Sequence, residues 1–305
     1  MGQRGRQPAG SSGCLWTIMM GMTSVARSTM TAELDCGVVE YRFDQRGSTT
    51  VVVFHGGHMN AGLALGEDVF VDAGYSVLVP SRPGYGRTPL STGMTADGFA
   101  DVTRSLCDHL GITRVAAVVG ISAGGPTAMA TAARHPDLVE RVIFQSAVGP
   151  LPWPDERTRM AARLVFAAAT ERITWSAVRV IMRTAPDLGL RMLLGDLAAL
   201  PARQVVAALS AENRRLLIEL FSRMRSGRGF RNDLAAVAGS AGEVTQPTLV
   251  IASRNDGSVP FDHAEALASA IQHSSLVESQ ADSHFIWLGQ DWPAISGKIR
   301  NFLAA

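Results

Sequence analysis

Val115-Ala116-Ala117-Val118-Val119-Gly120-Ile121-Ser122-Ala123-Gly124-Gly125-Pro126 is the stretch whose reading decides the fold. Its first five residues form a continuous apolar run, as a strand buried on both faces requires. The residues from about Pro126 to Arg134 have helical character. Between them, Ser122 must occupy a sharp strand-to-helix turn. Such a turn strains the serine backbone and leaves room only for tiny residues on either side, which glycine at 120 and 124 supplies. A phosphate-binding turn is the rival reading. It lacks both the Gly-Lys-Ser/Thr of a P-loop and a G-x-G-x-x-G at the first strand-helix turn.

Outward from this turn, short β-branched runs alternate with segments of helical spacing, the pattern of a mainly parallel sheet with helices on both faces. Leu34–Cys36 and Val38–Phe43 predict an opening hairpin around Gly37. Thr50–Phe54 and Ser76–Pro80 predict buried strands, and Phe99, Val102, Leu106 and Leu110 predict a helix over 95–110. Further strands are expected at 141–148, 248–253 and 275–279, with a last helix over 291–303. The interval 151–238 has almost no strand signal. It contains helical segments near 158–169, 173–183, 188–199, 203–209 and 212–225, punctuated by Pro186, Pro201 and Gly227-Arg228-Gly229. We read it as a helical cap inserted into a core of 31–150 and 239–305. Its Trp153, Phe166, Trp175, Met182, Met192 and Phe221 either line a pocket or bind cap to core, and packing is the expectation for most of them.

The chain has 305 residues, 47% of them hydrophobic, enough for one large domain without staples. Its 28 basic and 27 acidic residues leave a net charge of +1, which points to neither nucleic acid nor an anionic membrane as partner. Cys14, Cys36 and Cys107 are widely spaced, so neither a disulfide scaffold nor a zinc site is expected. Residues 1–30 read as a leader, disordered or lying before the true start, since Met20, Met22 and Met30 could each begin the chain. Arg4 and Arg6 before the apolar run at 14–22, with Ser24-Val25-Ala26 beyond it, keep a secretion signal as the alternative to a cytoplasmic location. No stretch approaches the ~18 apolar residues of a membrane span.

A serine hydroxyl needs a base, and a neutral imidazole fits that task near pH 7. Of seven histidines, His284 lies in the polar loop Ala281-Asp282-Ser283-His284-Phe285, able to reach over the sheet's carboxyl edge. His109, His135, His263 and His273 have routine structural roles in or at the ends of helices. The orienting carboxylate is expected at Asp256, in the turn after strand 248–253, because Asp262 with Glu265 reads as a cap and Asp282 is too near His284 in sequence. Two backbone amides should face the developing oxyanion. One is that of Ala123. The other is that of Gly57, or of the adjacent His58, in His55-Gly56-Gly57-His58. A metal at His55 and His58 lacks an H-E-x-x-H pattern, and neither metal nor organic cofactor is expected.

These segments together resemble the α/β-hydrolase family: His55-Gly56, Arg82-Pro83-Gly84-Tyr85-Gly86-Arg87-Thr88, the 120–124 turn, Asp256 before Val259-Pro260, and His284 occur in family order over 33–149 and 240–305. The resemblance implies a serine nucleophile rather than the aspartate of dehalogenases and epoxide hydrolases. It also implies a small-molecule substrate, with a largely apolar carboxylic ester as the expectation. Hydrolysis of a C–C bond on the same triad is one alternative, and a non-catalytic receptor is the other.

Overall fold

The computed structural model describes residues 24–166, 170–236 and 241–305. The opening hairpin forms from β1 (Met30–Leu34) and β2 (Gly37–Asp44), which pair antiparallel. Gly37, at φ 122, begins β2 just beyond the turn. There follow β3 (Thr50–Phe54), α1 (Asp68–Asp72), β4 (Ser76–Pro80), α2 (Ala96–His109) and β5 (Val115–Ile121). A 3-10 turn over Ser122–Gly124 leads into α3 (Gly125–Arg134), and β6 (Val142–Gln145) comes next. After it the chain is helical: α4 (Glu156–Val165), α5 (Glu171–Thr184), α6 (Pro186–Gly195), α7 (Ala202–Ala208), α8 (Ala211–Arg223) and α9 (Gly229–Asp233). The core closes with β7 (Thr248–Ser253), α10 (Asp262–Ala270), β8 (Ser274–Ser279) and α11 (Trp292–Ala304).

The eight strands form one sheet in the order β1-β2-β4-β3-β5-β6-β7-β8. Every pairing from β4 onward is parallel. Side-chain alternation then feeds two cores. Val51 and Val53 of β3, with Leu249 and Ile251 of β7, join Phe70, Ile295 and Ile299 on one face. Val52, Phe54, Val250 and Ala252 join Phe99, Leu106, Met129 and Leu267 on the other. Helices therefore cover both faces, as the continuous apolar strands require. The strand order reverses direction at β3 and β5, and at such a switch point the loops beyond the strand ends diverge to leave a crevice.

Two expectations shift. The strand expected over 141–148 stops at Gln145, because Ser146 at φ 47 turns the chain out of the sheet. His273 lies between α10 and β8 rather than in the helix, and its carbonyl accepts from the Thr248 amide. The leader reading falls mostly on residues 1–23, outside the described residues. Val25 and Arg27 are hydrogen-bonded to Ala64 and Gly62. No helix among the described residues is long and apolar enough to cross a membrane.

The helical interval is tied to the core by a buried ion pair. Arg82, in the loop after β4, makes two hydrogen bonds to the Asp233 carboxylate at the end of α9, at 2.6 and 2.9 Å. Tyr85 Oη donates to the same carboxylate at 2.6 Å, and Arg82 Nε donates to the His55 carbonyl. Backbone contact is equally close, since the amides of Arg228 and Gly229 both donate to the Gly84 carbonyl. Removing one partner of a buried pair strands the other charge away from water. Asp233→Asn should therefore lower the unfolding free energy by about 3 kcal/mol, measured by urea denaturation. A loss no larger than that of a surface Asp→Asn control would contradict this role.

Candidate active site

β5 delivers Ser122 to the switch point with its backbone at φ 50. The neighbouring glycines explain how the turn fits. A Cβ on Gly120 would stand 2.9 Å from Ala128 Cβ, and one on Gly124 would stand 2.2 Å from the Phe54 carbonyl oxygen. On the opposite side, a Cβ on Gly56 would meet Ser122 Cβ at 3.1 Å. The β3 loop and the serine turn are thus pressed together, with Ser122 buried between them. Its hydroxyl makes no hydrogen bond among the described residues, and such contacts often tighten only when substrate is bound.

Asp256 and His284 meet as expected. Asp256 Oδ2 lies 2.6 Å from His284 Nδ1, and the other carboxylate oxygen accepts the amides of Ser258 and Val259 at 2.8 and 2.9 Å. A carboxylate so placed holds the proton on Nδ1 and leaves Nε2 as a lone pair, the tautomer a base needs. The imidazole loop is held from two further directions. The His284 amide donates to the Leu197 carbonyl at 2.7 Å, and the His284 carbonyl accepts from Ser146 Oγ at 2.9 Å. The Leu197 carbonyl also accepts the Gly257 amide, while the Ala199 amide donates to the Asn255 carbonyl. A Cβ on Gly257 would come within 2.7 Å of the Ala198 backbone. Residues 197–199 of the helical interval therefore brace the loops of both side chains.

Ser146 and Leu197 escaped the sequence reading. The positive φ of Ser146 has no signature in a β-branched run, and the role of Leu197 belongs to its carbonyl, which any residue could supply. Asp233 pairs with Arg82.

The His55–His58 loop carries two differently engaged rings. His55 Nε2 accepts the Arg82 amide at 3.0 Å, so Nδ1 holds the proton and donates to the Gly56 carbonyl at 2.8 Å. Burial, and then the nearby Arg82 charge, push its pKa well below the ordinary histidine value. His58, at φ 61, stacks among Phe230, Phe166 and Trp175 with ring centroids 3.9, 4.6 and 5.2 Å away. Ser226 Oγ accepts from Trp175 Nε1 at 2.8 Å and lies 2.8 Å from His58 Nδ1. Ser226 is fully buried, so its hydroxyl proton goes to His58 Nδ1. Burial lowers the His58 pKa to about 3. Among the described residues no group of three or more His, Cys, Asp or Glu side chains could hold a metal ion.

The expected oxyanion donors are distributed as follows. Ala123 follows the serine in the 3-10 turn, at the N-terminal end of α3. Gly57 lies against the Phe230 ring, where a Cβ would approach to 3.1 Å. Of the aromatics in the helical interval, Phe166 and Trp175 join the His58 cluster, and Trp153 reaches it through Phe230. Phe221 packs on Phe285 beside His284. Met182 is buried against Gly189, whereas Met192 is exposed.

Residues 49–173 match the family described as the alpha/beta hydrolase fold, and residues 232–305 match the one described as TAP-like protein. An uncharacterized hydrolase of Bacillus subtilis (strain 168), YcgS, is 30% identical over 91% of this chain and 99% of its own. A 2-hydroxy-6-oxononadienedioate/2-hydroxy-6-oxononatrienedioate hydrolase of Pseudomonas sp. is 27% identical over 71% of this chain and 74% of its own. Among solved structures, an alpha/beta hydrolase fold protein from Nakamurella multipartita superposes with a TM-score of 0.76 at 26% identity. That match covers 90% of this chain and 99% of the other.

The depressed His58 pKa makes stability depend on pH with a defined sign. Between about 3 and about 6.5 the unfolded chain binds a proton at His58 that the folded chain refuses, so its contribution is full above that window and lost as pH falls through it. Asn tolerates the same backbone region and does not titrate there. Between pH 7.5 and 5.5, wild type should lose about 1 kcal/mol more unfolding free energy than His58→Asn. Equal losses in urea titrations at the two pH values would show that His58 protonates freely in the fold.

Proposed function

Because this chain belongs to the α/β-hydrolase family, we propose that it is a serine hydrolase that cleaves a small, largely apolar carboxylic ester through Ser122, His284 and Asp256. The observation that carries the reading is the 2.6 Å contact of Asp256 with His284 Nδ1, on loops that flank a serine held at φ 50 after a buried strand. In the proposed reaction His284 Nε2 takes the hydroxyl proton as Ser122 Oγ attacks the ester carbonyl. The amides of Ala123 and Gly57 stabilise the oxyanion. The imidazolium, steadied by Asp256, gives its proton to the departing alcohol. A water activated by the same imidazole then releases the acid and restores the serine.

In this reading helices α4–α9 are the cap, and their contacts with the Asp256, His284 and Arg82 loops support that assignment. The apolar substrate preference rests on the aromatic cluster beside Gly57 and on two neutral histidines, His55 and His58, in its loop. Burying an uncompensated charge there would be costly. A second reading, hydrolysis of a C–C bond next to a ketone, draws on the relatives named for 2-hydroxy-6-oxononadienedioate hydrolysis. It uses the same triad.

A fluorophosphonate probe should label wild type, and Ser122→Ala should remove the label together with at least about a thousandfold of turnover. Aryl esters of increasing chain length and a chromophoric dienone, assayed side by side, separate the two readings. Dienone bleaching without ester turnover would replace the first with the second. Full labelling of Ser122→Ala would overturn both.

A further inference from the structure

The net charge of +1 conceals an uneven distribution: residues 151–238 contain fourteen arginines against eight carboxylates. The same interval holds most of the large apolar side chains left in solvent. On α5, Ile173 and Val180 are 69% and 57% exposed, and on α6, Leu188 and Met192 are 53% and 55% exposed. Ile173 and Val180 are seven residues apart, two helical turns, and so share one face. The two helices pack closely at Gly189, where a Cβ would lie 2.9 Å from Met182 Sδ. Beside this contact Val178, Ile181, Met192 and Leu193 line a shallow groove with no polar lining. Arg172, Arg183 and Arg191 lie exposed on the same two helices, and none makes an ion pair among the described residues. The carboxylate at Asp187 is already bonded to Arg214.

We infer that the exposed face of α5 and α6 docks on a bilayer bearing anionic headgroups. Apolar side chains interleaved with unpaired arginines on short amphipathic helices match the interface of such a bilayer. There the methyl groups enter the acyl boundary and the guanidinium groups meet phosphates. A second copy of the chain fits the charge less well. In an isologous contact the same patch faces itself and sets Arg172, Arg183 and Arg191 against their copies, with Asp196 at the end of α6 the one exposed carboxylate on these two helices that no ion pair already engages among the described residues. Docking through α5 and α6 places the bilayer next to helices whose other side, at Trp175, reaches the aromatic cluster by the serine.

The test is co-sedimentation of the full chain with vesicles of phosphatidylcholine alone and of roughly 3:1 phosphatidylcholine to phosphatidylglycerol. Two variants accompany wild type: Arg172→Glu/Arg183→Glu/Arg191→Glu and Ile173→Ser/Val180→Ser/Leu188→Ser/Met192→Ser. Their melting temperatures report folding without reference to any activity. Wild type should bind the anionic vesicles, release them as salt rises, and leave the neutral ones in solution. Each variant should partition at least about tenfold more weakly while melting as wild type does. Failure of wild type to bind anionic vesicles overturns the inference. So does undiminished binding by both variants, which would place the contact elsewhere on the chain. A wild-type dimer, by light scattering, that the serine variant dissolves would assign the face to a second copy and overturn it as well.

Discussion

The positive φ of Ser122 is tolerable only because three chain segments meet around it without side chains in the way. Gly56 of the β3 loop, Gly120 at the end of β5 and Gly124 at the start of α3 each lack a Cβ that would collide with a backbone or side chain within 3.1 Å or less. Strain of this kind costs on the order of 1–3 kcal/mol and persists only where the surroundings over-determine it. Here the parallel pairing of β3 with β5 runs to Phe54 and Gly120, so the sheet itself fixes both sides of the turn. A hydroxyl held out of line with the strand stands above the sheet rather than within it. Everything proposed for catalysis depends on that displacement.

A second tier of contacts links the helical interval to the loops that surround the serine. Leu197 accepts amides from both the Asp256 loop and the His284 loop, while Arg82 and Tyr85 reach Asp233 at the interval's far end. The two ties are well separated in the sequence between β6 and β7. The helical interval is thus anchored on more than one side of the site. The consequence is that small shifts of the interval are transmitted directly to the imidazole. A displacement near 1 Å in reacting geometry can cost about a hundredfold in rate.

Much of this architecture was legible in the sequence because it follows from period and from steric exclusion. Five continuous apolar residues announce a strand covered on both faces, and glycine at 120 and 124 announces the turn. The pairing of Asp256 with His284 was legible because each follows a strand at the same edge of the sheet, whereas Asp262 starts a helix and Asp282 stands only two residues from the histidine. What stayed hidden depends on groups that carry no pattern. Ser146 serves through its hydroxyl to a backbone carbonyl 138 residues away, and Arg82 finds its carboxylate 151 residues along. The order of β3 and β4 in the sheet, the reverse of their order in the chain, also leaves no trace in local periodicity. Nor does a total charge near zero disclose that half of the cations lie in one helical interval.

The electrostatics of the serine's surroundings follow from the same packing. His55 is buried beneath the Arg82 loop and His58 among aromatic rings, and both are held neutral by burial. Arg82 is neutralised by Asp233, and Tyr85, desolvated and beside that carboxylate, keeps its proton far above the ordinary tyrosine range. The charges that His55, His58, Arg82 and Tyr85 could carry are therefore cancelled or suppressed. An imidazolium formed at His284 during the proposed reaction would find one uncancelled partner close by, the Asp256 carboxylate, in surroundings of low dielectric where that interaction is strong. A neutral ester would gain this stabilisation only as charge develops. An anionic substrate would already carry charge on arrival and would lose hydration beside an Arg82 that is already paired with Asp233. The paired state of Arg82 thus bears directly on substrate class, because breaking its bond with Asp233 would expose a guanidinium able to receive a carboxylate beside the His55–His58 loop.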